Sequence, residues 1–190
     1  MPAPLVGRPD AAGGIASAPL GTAAPVDAST PLAEAIQRLG LISDDGLSET
    51  TDRSTEQVRA WGGSLAKVIQ TEFGLTYEFT FLTTSLAVLN QIHGEDNVVV
   101  SGEGETASIA IKVNKDTLPE RLYVFEVKDG DNKIRIVVPR GQVTEVGDVT
   151  YVHSDVIRYQ VTVTAYPDDA GNEAYKYLAG PVATEAAADE

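Results

Sequence analysis

The side chains able to do chemistry are few, and none falls into a working pattern. His153-Ser154-Asp155 supplies a base, a nucleophile and an acid, but neighbours in sequence cannot turn toward one another as a hydrolytic triad requires. No G-x-S-x-G elbow is present, because Gly62-Gly63-Ser64 runs on into Leu65 and Ala66. Gly102-Glu103-Gly104 follows the apolar Val98-Val99-Val100 as a dinucleotide fingerprint would. The pattern after it predicts a strand rather than a helix, and Glu103 and Glu105 would repel a pyrophosphate. Asp129-Gly130-Asp131 starts like a calcium loop, yet Lys133 stands at the third ligand position. The carboxylate pairs Asp44-Asp45 and Asp168-Asp169 lie close to glycines and read as turns capped by Asx side chains. Cysteine is absent, which excludes a thiol nucleophile, a thiolate metal site and a disulfide frame. The expectation is a non-enzymatic protein with no catalytic residue, no cofactor and no metal.

The elements around these residues are mainly strands. Phe73, Leu75, Tyr77, Phe79 and Phe81 alternate with Gly74, Thr76, Glu78 and Thr80, the period of a half-buried strand. Similar alternation covers Ser108–Val113, 134–138 and Ile157–Tyr166. Arg121–Lys128 is apolar on both faces and predicts a central strand. Lys128–Lys133 and Pro167–Asn172 carry hairpin turn chemistry. Helices are expected over Pro31–Leu39, with Thr30 as N-cap and Gly40 as stop, and over Leu86–His93, with Ser85 as cap and Gly94 as stop. Gly14–Leu20 forms a strand if it finds a partner. The fold class expected is mainly β with some α, an antiparallel β-sandwich or barrel with one flanking helix.

Three parts follow from composition: an extended arm over 1–28, rich in Ala, Pro and Gly; a β domain over 29–180; and a short acidic tail over 181–190. No apolar run approaches the ~18 residues that span a bilayer, and the first residues have neither the basic patch nor the apolar stretch of a signal peptide. The chain of 190 residues holds 28 acidic and 14 basic residues, a net charge of −14. Such a balance argues against sustained nucleic-acid binding, which needs clustered Lys and Arg. The charge is uneven: residues 112–140 hold seven bases and five acids, a net of +2 that leaves −16 elsewhere. That asymmetry suits complementary faces on identical copies.

The most informative stretch is Leu39-Gly40-Leu41-Ile42-Ser43-Asp44-Asp45-Gly46, then the polar run Ser48–Gln57, then Val58-Arg59-Ala60-Trp61-Gly62-Gly63, ending at Val88-Leu89-Asn90-Gln91-Ile92-His93-Gly94. Read locally, Asp44-Asp45-Gly46 is a turn, and Trp61 beside two glycines is a core anchor next to a bulge. In order and spacing, the stretch from Leu39 to Gly94 resembles the major tail tube proteins of siphophages, particularly those infecting actinobacteria. Leu41 departs from the family, which often has an aromatic there.

The resemblance implies a tail tube fold whose copies form homohexameric rings, stacked head to tail around a tape measure protein. A tail terminator and distal tail or baseplate proteins would be further partners. Double-stranded DNA would pass through the lumen without specific binding, and the protein would reside in the virion tail with no membrane anchor, after synthesis in the bacterial host cytoplasm. Residues 47–60 would form a long loop or hairpin that contacts neighbouring copies, so the residues assigned to self-assembly are Asp44, Asp45, Gly46, Glu49, Arg53, Glu56, Trp61, Gly62 and Gly63. The arm 1–28 and the tail 181–190 are expected to join in those contacts. Alternatives sharing the architecture are a tail terminator, a capsid decoration subunit and a type VI secretion tube protein.

Overall fold

The computed structural model describes residues 4–9, 13–102 and 106–181; the expected acidic tail, apart from Pro181, lies outside them, as does Glu103. The chain order is β1 (Arg8–Pro9), β2 (Ile15–Pro19), β3 (Gln37–Arg38), β4 (Ile42–Arg59), β5 (Leu65–Phe81), α1 (Leu86–His93), β6 (Val98–Ser101), β7 (Ser108–Ile111), β8 (Arg121–Asp129), β9 (Asn132–Val146), β10 (Tyr159–Tyr166) and β11 (Tyr175–Ala179). A single 3-10 turn, Glu95–Asn97, joins α1 to β6. Nine strands make one sheet, ordered β3-β2-β8-β9-β10-β5-β4, with β1 also on β8 and β11 also on β9. Strands β6 and β7 form a separate pair. The sheet is open, with β3 and β4 at its ends, and its pairings are antiparallel.

Strand β8 is central, as its apolar residues on both faces predict. Tyr123 and Phe125 point into the main core with Tyr77, Phe79, Phe81, Val161 and Val163. Leu122 and Val124 point the other way, into a smaller layer with Ala16, Ala18, Ile36 and Val137. The main core is closed by α1, whose Val88 and Ile92 pack onto it. Ser85 caps that helix by accepting the Val88 N–H, and Gly94 ends it. Tyr123 is held from both sides: its hydroxyl donates to Gln91 Oε1 of α1 at 2.8 Å, and its ring lies against Gly141. A Cβ at Gly141 would sit 2.7 Å from that ring and 3.0 Å from Val163. Burial holds the Tyr123 phenol protonated far above its ordinary range.

Two expectations need correction. Pro31–Leu39 is not a helix; it is an extended strap with a turn near 34–35, ending in β3. Asp27, rather than Thr30, receives the free amides, its Oδ1 accepting the N–H groups of Ser29 and Thr30 at 2.6 Å each. Nine residues of helix are marginal alone, whereas pairing Gln37–Arg38 with β2 satisfies a sheet edge and buries Ile36. Pro167–Asn172 is a turn but not a hairpin. Its Asp168 Oδ1 accepts the N–H groups of Ala170 and Asn172, yet β10 and β11 both pair with β9 in succession rather than with each other. The Gly14–Leu20 stretch does find its partner, since β2 lies on β8 with Ile15, Ala16 and Ala18 buried. Residues 15–19 therefore pack on the core that an extended arm would leave.

The strap is pinned by a buried ionic group. Glu126 and Arg135 face each other across β8 and β9, and Arg135 Nη2 lies 2.6 Å from Glu126 Oε1. The same guanidinium donates to the carbonyls of Asp27 and Thr30 at 2.8 Å each, and Arg38 reaches Glu126 Oε2 at 2.7 Å. Arg135 is only 3% exposed. Removing it would leave a buried carboxylate short of its partner, so Arg135→Ala should cost about 3–5 kcal/mol in urea unfolding. A wild-type midpoint would contradict the pinning. Gly141→Ala should cost about 1–3 kcal/mol by overpacking.

The Asp27 carboxyl is lowered from 3.8 to about 2, first by the Thr30 side-chain hydrogen bond, then by the Thr30 and Ser29 amides. A depressed folded value contributes stability above pH 3.8 that is lost as pH falls toward 2. Asp27→Asn should therefore flatten the acid limb of the stability profile within that window.

Candidate self-assembly surface

Strands β4 and β5 form a hairpin far longer than the sheet that supports it. The neighbour of β5 on its other side, β10, pairs only with Thr76–Phe81. From the Thr51–Leu75 pair outward, β4 and β5 pair only with each other among the described residues. That leaves a two-stranded ribbon about 30 Å long at ~3.3 Å per residue, in which every side chain from Thr55 to Phe73 is exposed. The polar run Ser48–Gln57 is thus one edge strand of this ribbon rather than a loop. Glu49, Asp52, Arg53, Glu56 and Arg59 stud the edge, as charges do where an unpaired strand must not aggregate at random.

At the root, Asp44-Asp45-Gly46 is not a free turn but a bulge within β4, between the Ile42–Phe81 and Leu47–Phe79 pairs. The buried Ser43 hydroxyl lies 3.1 Å from Asp44 Oδ1 and 3.0 Å from Asp45 Oδ2, so its one proton serves either. Gly46 takes φ 75°, a value glycine adopts readily. Glu49 pairs with Lys176 Nζ at 2.5 Å, tying the ribbon's base to β11. Its charge and that of Glu173 reinforce burial in holding the Tyr77 phenol protonated. Farther out, the Arg53 guanidinium sits 4.8 Å from the Phe73 ring centre and donates to Gln70 Oε1 at 3.0 Å. Glu56 stands opposite Ile69.

The apex is the turn 60–64. Ala60 N–H donates to Ser64 O and Gly63 N–H to Ala60 O, each at 2.9 Å, while Arg59 Nη1 donates to Gly63 O at 3.0 Å. Gly62 and Gly63 adopt φ 111° and 87°, so the glycines serve the turn rather than a bulge. This overturns the local reading of Trp61 as a core anchor, because its side chain is fully exposed, at 107% of the reference area. A large aromatic left wholly exposed contributes no burial energy to the fold of a single chain.

The nine residues assigned from sequence therefore fall along one ribbon: four at its root, two along its edge and three at its tip. Sequence reasoning missed Val58, Leu65, Val68 and Ile69, exposed on the same outer part of the ribbon as Trp61. It also missed the β6–β7 hairpin face, where Val100, Ile109 and Ile111 are exposed. The available signal was apolar alternation that continues past the point where the core has been filled. Asp45 also lines an open cleft of about 440 Å³ with Asp148, Asp155 and Arg158. Asp155 there is engaged by the Val156 N–H and by Arg158, which hold it below the usual carboxylate range. No group of three His, Asp or Glu is placed to hold a metal among the described residues.

If the tip serves contacts outside the subunit, removing its apolar side chains should not hurt folding. Trp61→Ala and Leu65→Ala should leave the free energy of unfolding in urea within ~0.5 kcal/mol of wild type, as surface changes do. A loss of several kcal/mol would mean the tip folds back on its own chain.

The phage tail tube protein family model matches residues 8–188. No curated protein matches the chain. Among solved structures, a chain of the anti-feeding prophage cap (the tube terminating cap, by cryo-EM) is 10% identical with a TM-score of 0.44, covering 94% of this chain and 97% of that one. A chain of the six-fold symmetrised anti-feeding prophage baseplate is 13% identical with a TM-score of 0.34, covering 95% and 98%.

Proposed function

The chain belongs to the phage tail tube protein family, and from that premise we propose that it is the tube subunit of a long, non-contractile phage tail. Six copies close into a ring, and rings stack head to tail around a tape measure protein. A terminator caps one end of the stack, and distal tail or baseplate proteins meet the other. Genome DNA later leaves through the lumen. The observation that carries this reading is the unsupported β4–β5 ribbon. It presents Trp61, Val58, Leu65, Val68 and Ile69 to solvent on a subunit whose main core is already complete.

A contact between two different patches on identical copies closes into rings or runs on as a stack, according to its geometry. Among the described residues no further strand lies beside the ribbon's outer edge, β4, and edge pairing between copies would give a continuous β wall. The charge fits a conduit for DNA: at −14 per copy, a six-membered ring carries −84, and acids facing the lumen would keep phosphates from adhering. The role is structural and takes place in the virion tail.

Negative-stain microscopy of the purified protein tests the reading. Hollow tubes of indefinite length are expected at high concentration, favoured by salt that screens the repulsion between copies. Single closed rings at every concentration and salt would contradict it and favour a terminator. Replacing residues 56–69 by Asn-Gly, which suits a two-residue hairpin turn, should leave a folded subunit that builds no tubes. Normal tubes from that variant would remove the ribbon from the account.

A further inference from the structure

Two hairpins of this chain project apolar side chains from oppositely charged segments. The ribbon tip, residues 57–71, contains Arg59 and Lys67 and no acidic residue, in a chain of net charge −14. Residues 94–111, which include β6 and β7, contain four acidic residues and no basic one. In β6 and β7, Val98 stands opposite Ile111 and Val100 opposite Ile109. Directly opposed residues share a face, so these four make one apolar face, of which only Val98 is buried.

The β6–β7 hairpin is also firmly mounted. Asn97 Nδ2 donates to His93 O at 2.9 Å, Asn114 Nδ2 to Asn97 Oδ1 at 3.0 Å, and Arg121 of β8 pairs with Glu95 at 2.7 Å. A two-stranded pair with an uncovered apolar face is marginal in water, so a fixed root with an open face suits a surface that meets another body.

We propose that this face is the dock for the β4–β5 tip of a second copy of the chain. The inference rests on the reading of the protein as a tube subunit and names the partner surface of its ribbon. Within one chain the two cannot readily meet. The tip lies about 50 Å along β5 from Phe81 at ~3.3 Å per residue, and α1 and β6 follow from that far end. Charge favours this occupant: with Glu95 held by Arg121, the tip's Arg59 and Lys67 approach Asp96 while Trp61 and Leu65 cover Val100 and Ile109. A contact of unlike patches leaves each copy with a free tip and a free dock, so it propagates.

The chain contains no cysteine, which makes disulfide trapping clean. Leu65→Cys is mixed with Val100→Cys, Ile109→Cys or Ile111→Cys, all at exposed positions. Each mixture is assembled under the conditions that give wild-type polymer, and then mildly oxidised. A cross-link needs Cα atoms within about 7 Å. The expected result is a dimer band, on a non-reducing gel, in at least one mixture and in none of the single variants alone. A double variant carrying both cysteines should give a ladder. Polymer without a band in any mixture would overturn the dock while leaving the tube reading intact. A band with Val152→Cys instead, in the exposed Tyr151–Val152 patch, would likewise overturn it. Absence of both polymer and band would overturn the dock together with the reading beneath it.

Discussion

Beyond the Thr51–Leu75 pair, the β4–β5 ribbon has neither a third strand nor a helix beneath it among the described residues. A two-stranded ribbon has no interior, and alone in water it is marginally stable. Its apolar residues must find cover elsewhere or remain a liability. The ribbon is held at its root in three places. Strand β10 grips its inner end along Thr76–Phe81, Lys176 ties Glu49 to β11, and the bulge at Asp44–Gly46 sets where β4 joins β5.

The chain leading into β4 is held by the buried ions behind the sheet. Arg135 joins two sheet strands to the carbonyls of Asp27 and Thr30, just ahead of the strap, and Glu126 answers with both oxygens to Arg135 and Arg38. The strap then delivers Leu39, 2% exposed, into the main core just before β4 starts. A carboxylate that deep is favourable only because cations and dipoles surround it. Seven basic residues lie between 112 and 140. One of those bases, Arg135, is consumed inside the fold, and Arg121 and Arg140 are paired with Glu95 and Glu120, so they supply little free positive charge to a partner.

The legible parts of the sequence were those where local pattern and tertiary environment agree. β8 read as a central strand because its alternate residues are apolar on both faces and both faces are covered. Ser85 to Gly94 read as a capped helix because cap, apolar stripe and stop coincide. The family resemblance over Leu39–Gly94 brought the hairpin alternative for 47–60, which composition alone does not separate from a loop. The Pro31–Leu39 helix failed because Thr30 and Pro31 look like a helix start, while the decisive partners, Arg135 and β2, lie far away in sequence. Trp61 failed for a related reason. A tryptophan beside two glycines ordinarily signals packing, and nothing local says that the glycines close an apex with no core under it. On the proposed reading Trp61 meets another copy of the chain, and a single sequence holds no contact between copies.

Hydrogen exchange resolved by segment, in the free subunit and in the assembled polymer, tests most directly whether the ribbon is completed by neighbouring copies. Amides of residues 55–70 should exchange rapidly in the free subunit, well before those of Thr76–Phe81 in the same strand, and should become strongly protected on assembly. Protection in the free subunit equal to that of Thr76–Phe81, or rapid exchange that persists in the polymer, would contradict the account.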